Sequence, residues 1–246
     1  MQNFKIAVAQ VPSEKGNVEK NIQRHIDAID SARKEKVTLI VFPELSLTGY
    51  EPELANTLAF SVDDVRLTKL LAAAIENRIW VVAGAPLKSG KSLDIGAVII
   101  SPEGFISTYS KMNFHSGEDQ FFSESSEQKI LEIQSHKVAL AICADTNNPD
   151  HVKAYVENGA TIYVAGSLIT ESGYTADTEN LSSYAREHKI LVTMANHNCP
   201  TGSWNPVGKS AAWSKDGLLA VASKTKNSLV ISQLVNELWV SEAIEM

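Results

Sequence analysis

The chain has 246 residues, 44% hydrophobic and 21% charged, with a formal net charge of −7. This length and composition fit a globular protein with a substantial core. An acidic balance without a basic stripe speaks against a nucleic-acid partner, and no apolar run reaches the length of a membrane span.

Only two cysteines are present, Cys143 and Cys199, so no disulfide framework is expected. Neither lies in a Cys-x-x-Cys pair or near a histidine at metal-ligand spacing, which predicts no structural metal. The opening stretch MQNFKIAVAQ carries one lysine and a short apolar strand but no extended signal-type core. A cytoplasmic protein is expected.

In chain order, Phe4 to Gln10 reads as a first strand, and 17–36 as a helix with Ile22, Ile26 and Ile29 at helical spacing. Residues 37–42 are a β-branched, continuous apolar run, predicting a buried strand that stops at Pro43-Glu44; 45–52 follow as a loop. A helix is expected over 62–78 and a third strand over 79–84, then strands over 94–100 and 104–109 turned at Pro102-Glu103-Gly104. Residues 110–128 form an irregular polar loop. Strands are expected near 129–133 and 138–142, and a helix over 150–158.

Further on, 161–165 reads as a strand, 176–188 as a helix and 190–195 as a strand. After a Gly/Pro/Asn loop, short strands fall near 209–213, 218–223 and 228–233. Strands alternating with helices indicate βαβ units in an α/β fold. No linker or shift in composition divides the chain, so one domain over 1–246 is expected.

Val138 to Ile142 is a strand of the kind buried on both faces, and Cys143 stands where it stops and a helical segment begins. In open α/β folds ligands bind outside the carboxyl ends of strands. Two other unusual polar residues follow apolar runs: Glu44 after Val41-Phe42-Pro43, and Lys111 after Tyr109-Ser110. Singly, Cys143 reads as a core thiol, Glu44 as a loop cap and Lys111 as a surface charge. If the three converge, a thiol gains a base and a cation, as a sulfur nucleophile requires.

These segments carry a resemblance. FPELSLTGY (42–50), YSKMNF (109–114) and LAICAD (140–145) resemble the carbon–nitrogen hydrolase (nitrilase) superfamily with its Glu–Lys–Cys triad in this order. KIAVAQ (5–10) with Asn21, GEDQFF (117–122), YAREH (184–188), MAN (194–196), Gly208-Lys209-Ser210 and Asp216-Gly217 extend the likeness over nearly the whole chain.

The resemblance implies a four-layer α-β-β-α sandwich and a cofactor-independent hydrolase of a small amide, through a Cys143 thioester. Glu44 would be general base; Lys111 would stabilise the oxyanion with the Ala144 N–H; Glu118 would hold Lys111 or meet the substrate. Tyr50, His115, Ser167 and Asn196 are candidates to border the substrate, and Phe121, Phe122 and Trp204 to form an apolar wall. Ala144-Asp145 after the cysteine resembles the amidase and carbamoylase branches; nitrile-cleaving members usually have Trp-Glu there.

Asn147 stands where many relatives have arginine, which disfavours an anionic N-carbamoyl substrate. Asp94 stands where asparagine is common. Nitrile or N-carbamoyl hydrolysis, acyl or amide transfer, and a non-catalytic metabolite-binding role remain alternatives. The resemblance also implies at least a homodimer. The apolar C-terminal segment 237–246 either reaches a partner or covers its own core.

Overall fold

The computed structural model describes residues 4–90 and 92–246. Its elements run β1 (Lys5–Gln10), α1 (Val18–Lys34), β2 (Leu39–Val41), α2 (Pro52–Leu58), α3 (Thr68–Asn77), β3 (Trp80–Ser89), β4 (Ser92–Ile100) and β5 (Ile106–Ser110). Then come β6 (Ile130–Ile133), β7 (His136–Ile142), α4 (Pro149–Glu157), β8 (Ile162–Ser167), α5 (Glu171–His188) and β9 (Leu191–Asn196). The chain closes with β10 (Ala211–Ser214), β11 (Gly217–Val221), β12 (Ser228–Val235) and β13 (Leu238–Glu245).

The strands form two sheets, in the orders β13-β12-β1-β2-β3-β4-β5 and β11-β10-β9-β8-β7-β6. Side chains alternate across each strand, so one residue set faces the other sheet and the next faces a helix layer. Large branched residues take the inner position: Ile6, Val8, Leu39, Val41, Val138, Leu140, Ile142, Ile162 and Val164 share one core. Alternate residues such as Ala7, Ala9 and Ile40 pack with Ile22 and Ile29 of α1 and Leu70 of α3. On the second sheet Ala139, Ala141 and Ala165 face Val152 and Tyr155 of α4 and Leu181 of α5. The result is an α-β-β-α sandwich, and burial on both faces explains why its central strands read as unbroken apolar runs.

The structure lengthens or moves several predicted elements. The expected helix over 62–78 divides into a 3-10 turn at Val65–Leu67 and α3. β3 runs on to Ser89, through Gly84 and Pro86. Helix α2 occupies a stretch for which no element was expected, and α5 begins at Glu171 rather than 176. The C-terminal segment pairs with its own chain: β13 lies antiparallel to β12 from Ser228↔Glu245 to Val235↔Leu238.

Candidate active site

β2 ends at Val41, and the chain turns away through Pro43 and Glu44 with Leu45 at φ +50°. Two glycines make room for this turn. A Cβ on Gly166 of β8 would stand 2.6 Å from the Phe42 carbonyl, and one on Gly84 of β3 would collide with the Pro43 carbonyl. Glu44 is thereby wedged where the two sheets approach each other. His197 Nε2 holds its backbone, donating to the Glu44 carbonyl at 2.8 Å.

Cys143 follows β7 at the head of a 3-10 turn, Cys143–Asn147. Its φ of +44° is a conformation that a residue with a Cβ rarely adopts, so the surrounding structure must impose it. Asp145 does so. Its carboxylate accepts from Ile142 N at 2.9 Å, from Met112 N at 3.0 Å, from Asn113 N at 2.8 Å and from the Tyr109 hydroxyl at 2.7 Å. These bonds tie the cysteine turn to the segment leaving β5, which carries Lys111.

Lys111 is fully buried. Its Nζ donates to Glu44 Oε1 at 2.7 Å and to Glu118 Oε1 at 2.8 Å. Glu118 also accepts from the Tyr50 hydroxyl at 2.8 Å and from His115 N at 2.7 Å. An ammonium taken out of water needs such partners, and of its three donors two are used here. Glu44 Oε2 is buried and has no hydrogen-bond partner.

Electrostatics follow from this crowding. Burial raises the Glu44 carboxyl to about 7, with Lys111 opposing and Glu118 adding to the rise. Burial would release the Lys111 proton, but Glu44, Cys143 and Glu118 together hold its pKa above the ordinary lysine value. Burial and the Glu44 charge push the Cys143 thiol up, against the pull of Lys111. Burial thus favours the protonated thiol, beside a carboxylate able to exchange a proton near neutrality.

A cavity of about 250 Å³ opens onto this cluster, walled by Glu44, Tyr50, Glu118, Cys143, Leu168 and Trp204 among others. A larger groove of about 740 Å³ passes Asp94 and Lys129 elsewhere on the surface and contains none of Glu44, Lys111 or Cys143. Among the described residues no group of three or more His, Cys, Asp or Glu side chains is arranged to hold a metal ion.

The carbon–nitrogen hydrolase family profile matches residues 5–241. The chain belongs to the carbon–nitrogen hydrolase family. A nitrilase from Pyrococcus abyssi is 26% identical over 237 residues, covering 94% of this chain and 89% of its own. An (R)-stereoselective amidase from a Pseudomonas species is 25% identical, covering 78% of this chain and 70% of its own. Among solved structures, an amidase from Nesterenkonia sp. AN1 superposes with a TM-score of 0.86 at 22% identity, covering 95% of this chain and 91% of that one. That structure carries the acetamide moiety of fluoroacetamide on the active-site cysteine of that protein.

In this carbon–nitrogen hydrolase the expected residues fall into two groups. Glu44, Glu118, Cys143, Tyr50 and His115 line the cavity, with Lys111 buried against the two carboxylates. Ala144, Ser167 and Asn196 are buried and stand outside that lining. Ser167 closes β8, and its hydroxyl has no partner. Asn196 staples loops: its side chain bonds both N and O of Ile169 at 2.9 Å and the Gly208 carbonyl at 2.8 Å. Ile169 itself is a cavity residue. Trp204 reaches the wall, whereas Phe122 is buried in the inter-sheet core and Phe121 borders a separate surface pocket.

Three features of the hydrolase site were not singled out from the sequence. The Leu168 carbonyl accepts from the Cys143 thiol at 3.6 Å. Asp145 draws its partners from Tyr109, Met112, Asn113 and Ile142 rather than from position 147, and Asn147 faces the cavity instead. Asp177 of α5 also lines the cavity. Nothing in the sequence pattern singles it out.

Proposed function

We propose that this protein is a thiol-dependent amidase acting on a small molecule. The observation that carries the reading is Lys111, buried against Glu44 and Glu118, the two carboxylates that line the same cavity as Cys143. Cys143 Sγ attacks the amide carbon while its proton passes to Glu44, whose pKa near 7 suits both taking and giving a proton. The oxyanion that forms is met by the unused N–H of Lys111, helped by the Ala144 amide. A contact of this kind is worth ~2.7–4 kcal/mol of barrier.

Glu44 then delivers the proton to the leaving nitrogen. The C–N bond breaks, ammonia departs and a thioester remains on Cys143. Water enters, gives its proton to Glu44 and attacks the thioester; the thiol returns as the carboxylic acid leaves. Glu118 acts through Lys111 by fixing its Nζ, and Tyr50 in turn holds Glu118.

Ala144-Asp145 after the cysteine supports amide over nitrile cleavage. The experiment is trapping. Mass spectrometry of the protein with a small amide or activated ester should show an acyl adduct on Cys143, lost in Cys143→Ala. An adduct confined to Cys199 would overturn the reading.

A further inference from the structure

The charges around the cavity do not balance. Glu44 and Glu118 share one ammonium, that of Lys111, which is fully buried. Asp177 adds a third carboxylate to the wall and makes no hydrogen bond or ion pair with any described residue. The lining contains no lysine or arginine, its one basic side chain is His115, and Asn147 contributes an amide.

Asp177 lies in α5, half-buried, with Gly173 one turn before it; a Cβ there would stand 3.2 Å from Asp177 Oδ2. The glycine thus leaves the carboxylate room in the cavity. Trp204 stands on the same wall, its ring edge-on to His115 with centroids 6.0 Å apart. An unpaired carboxylate and an exposed aromatic ring in one small cavity are the two groups that hold an alkylammonium. At about 250 Å³ the space suits a small metabolite, below the ≈ 300–1,000 Å³ of sites for drug-sized ligands.

We infer that Asp177 sets specificity in this site, selecting small amides whose acyl chain carries an ammonium group. This rests on the amidase reading given above. The ammonium pairs with Asp177, Trp204 offers it a ring face in the same cavity, and the amide carbonyl reaches Cys143, which also lines that cavity. An anionic acyl chain meets the same carboxylate and is rejected. Burial raises the Asp177 carboxyl, with the neighbouring His115 opposing, so an approaching cation meets a carboxylate that is poorly solvated and makes no hydrogen bond with a described residue.

The test compares three amides of similar length: 4-aminobutyramide, its neutral counterpart butyramide, and the anionic succinamate. Ammonia release should follow the order cationic, neutral, anionic, with the first favoured over the second by about tenfold or more in kcat/KM. Asp177→Asn should collapse that ratio toward one, Asp177→Glu should retain most of it, and Asp177→Lys should shift preference toward succinamate. Equilibrium binding to Cys143→Ala supplies a readout independent of turnover, where 4-aminobutyramide should bind more tightly than butyramide. Equal binding of the two, or a ratio untouched by Asp177→Asn, overturns the role of Asp177 while leaving the amidase reading standing. Failure of every amide to acylate Cys143 overturns the amidase reading itself, and the binding comparison still decides whether the cavity prefers a cation.

Discussion

The backbone amide of Asn113 donates to Asp145 Oδ1 at 2.8 Å, and through this contact the strand end that supplies Lys111 is fastened to the turn that supplies Cys143. The Met112 amide and the Asn113 side chain reach the same oxygen, at 3.0 and 3.1 Å, while Tyr109 and Ile142 take the other. Asp145→Asn replaces one acceptor oxygen with an NH2 that faces donors. The variant should lose about 2–4 kcal/mol of stability. A slip of the cysteine turn by an ångström should also lower kcat/KM about a hundredfold. Denaturant titration together with acylation kinetics at Cys143 checks both. A variant that melts like the parent and acylates at the same rate would contradict the positioning role.

Glu44 gives the reaction its pH dependence. Its carboxyl titrates at about 7 because burial outweighs the neighbouring ammonium. The base form is needed to receive the thiol proton, so kcat/KM should climb with pH and level off above about 7. The thiol, pushed well up by burial and by Glu44, should add no alkaline limb in the accessible range. Glu44→Gln removes the proton acceptor and should abolish the ascending limb along with turnover. A profile rising instead through the ordinary carboxylate range would contradict this picture.

The same shift acts on stability, opposite in sign to that of two histidines. His25 and His197 are both depressed to about 4 by burial, so each contributes stability that is complete above about 6.5 and is lost as pH falls toward 4. Glu44 is raised, so its contribution is complete below about 4.5 and is lost as pH rises through 7. Acidification from pH 7 to 5 should therefore destabilise the protein through the histidines while Glu44 offsets part of the loss. In Glu44→Gln the offset disappears, and the loss over that interval should be larger by about 2 kcal/mol. Urea titrations of both proteins at the two pH values make the comparison; equal losses would refute the sign.

How much of this was legible beforehand depends on where each residue sits. Val138 to Ile142 and 37–42 were readable because strands buried on both faces leave an uninterrupted apolar run, and the polar residue just after such a run is conspicuous. Helix α2 was not readable: it starts at Pro52 and buries only Ala55, so it shows no helical stripe. β3 continues past Gly84 and Pro86, which read as breakers. Pairing with β2 ends at Val82, so the missing Pro86 N–H breaks no ladder on that side. Asp177 was invisible for a different reason. Its importance comes from a cavity built by distant segments, and helical periodicity carries no information about that.

Lys111 is the most exacting position to change. Lys111→Met removes the cation that bridges Glu44 and Glu118 and leaves two buried carboxylates without it. Breaking a buried pair in this way costs about 3–5 kcal/mol. Adding Glu44→Gln relieves the repulsion, so the double variant should recover part of the stability while remaining inactive. If the two losses simply add in thermal or denaturant unfolding, the carboxylates are not coupled through the ammonium.

Gly166 tests whether the Glu44 turn owes its place to close approach of the backbones. Gly166 carries no positive φ, so alanine is conformationally acceptable there, and the cost arises from the Phe42 carbonyl 2.6 Å from the new methyl. A carbonyl fixed by the adjoining strand cannot swing aside as a side-chain tip can. Gly166→Ala should therefore cost about 1–3 kcal/mol and force β8 and the 42–45 segment apart. Because Glu44 rides on that segment, its carboxylate should move relative to Lys111 and Cys143, lowering kcat more than it raises KM. Unfolding curves and steady-state kinetics on one amide measure the two effects together. An alanine variant with unchanged stability and unchanged kcat would show that the contact does not hold Glu44 in register.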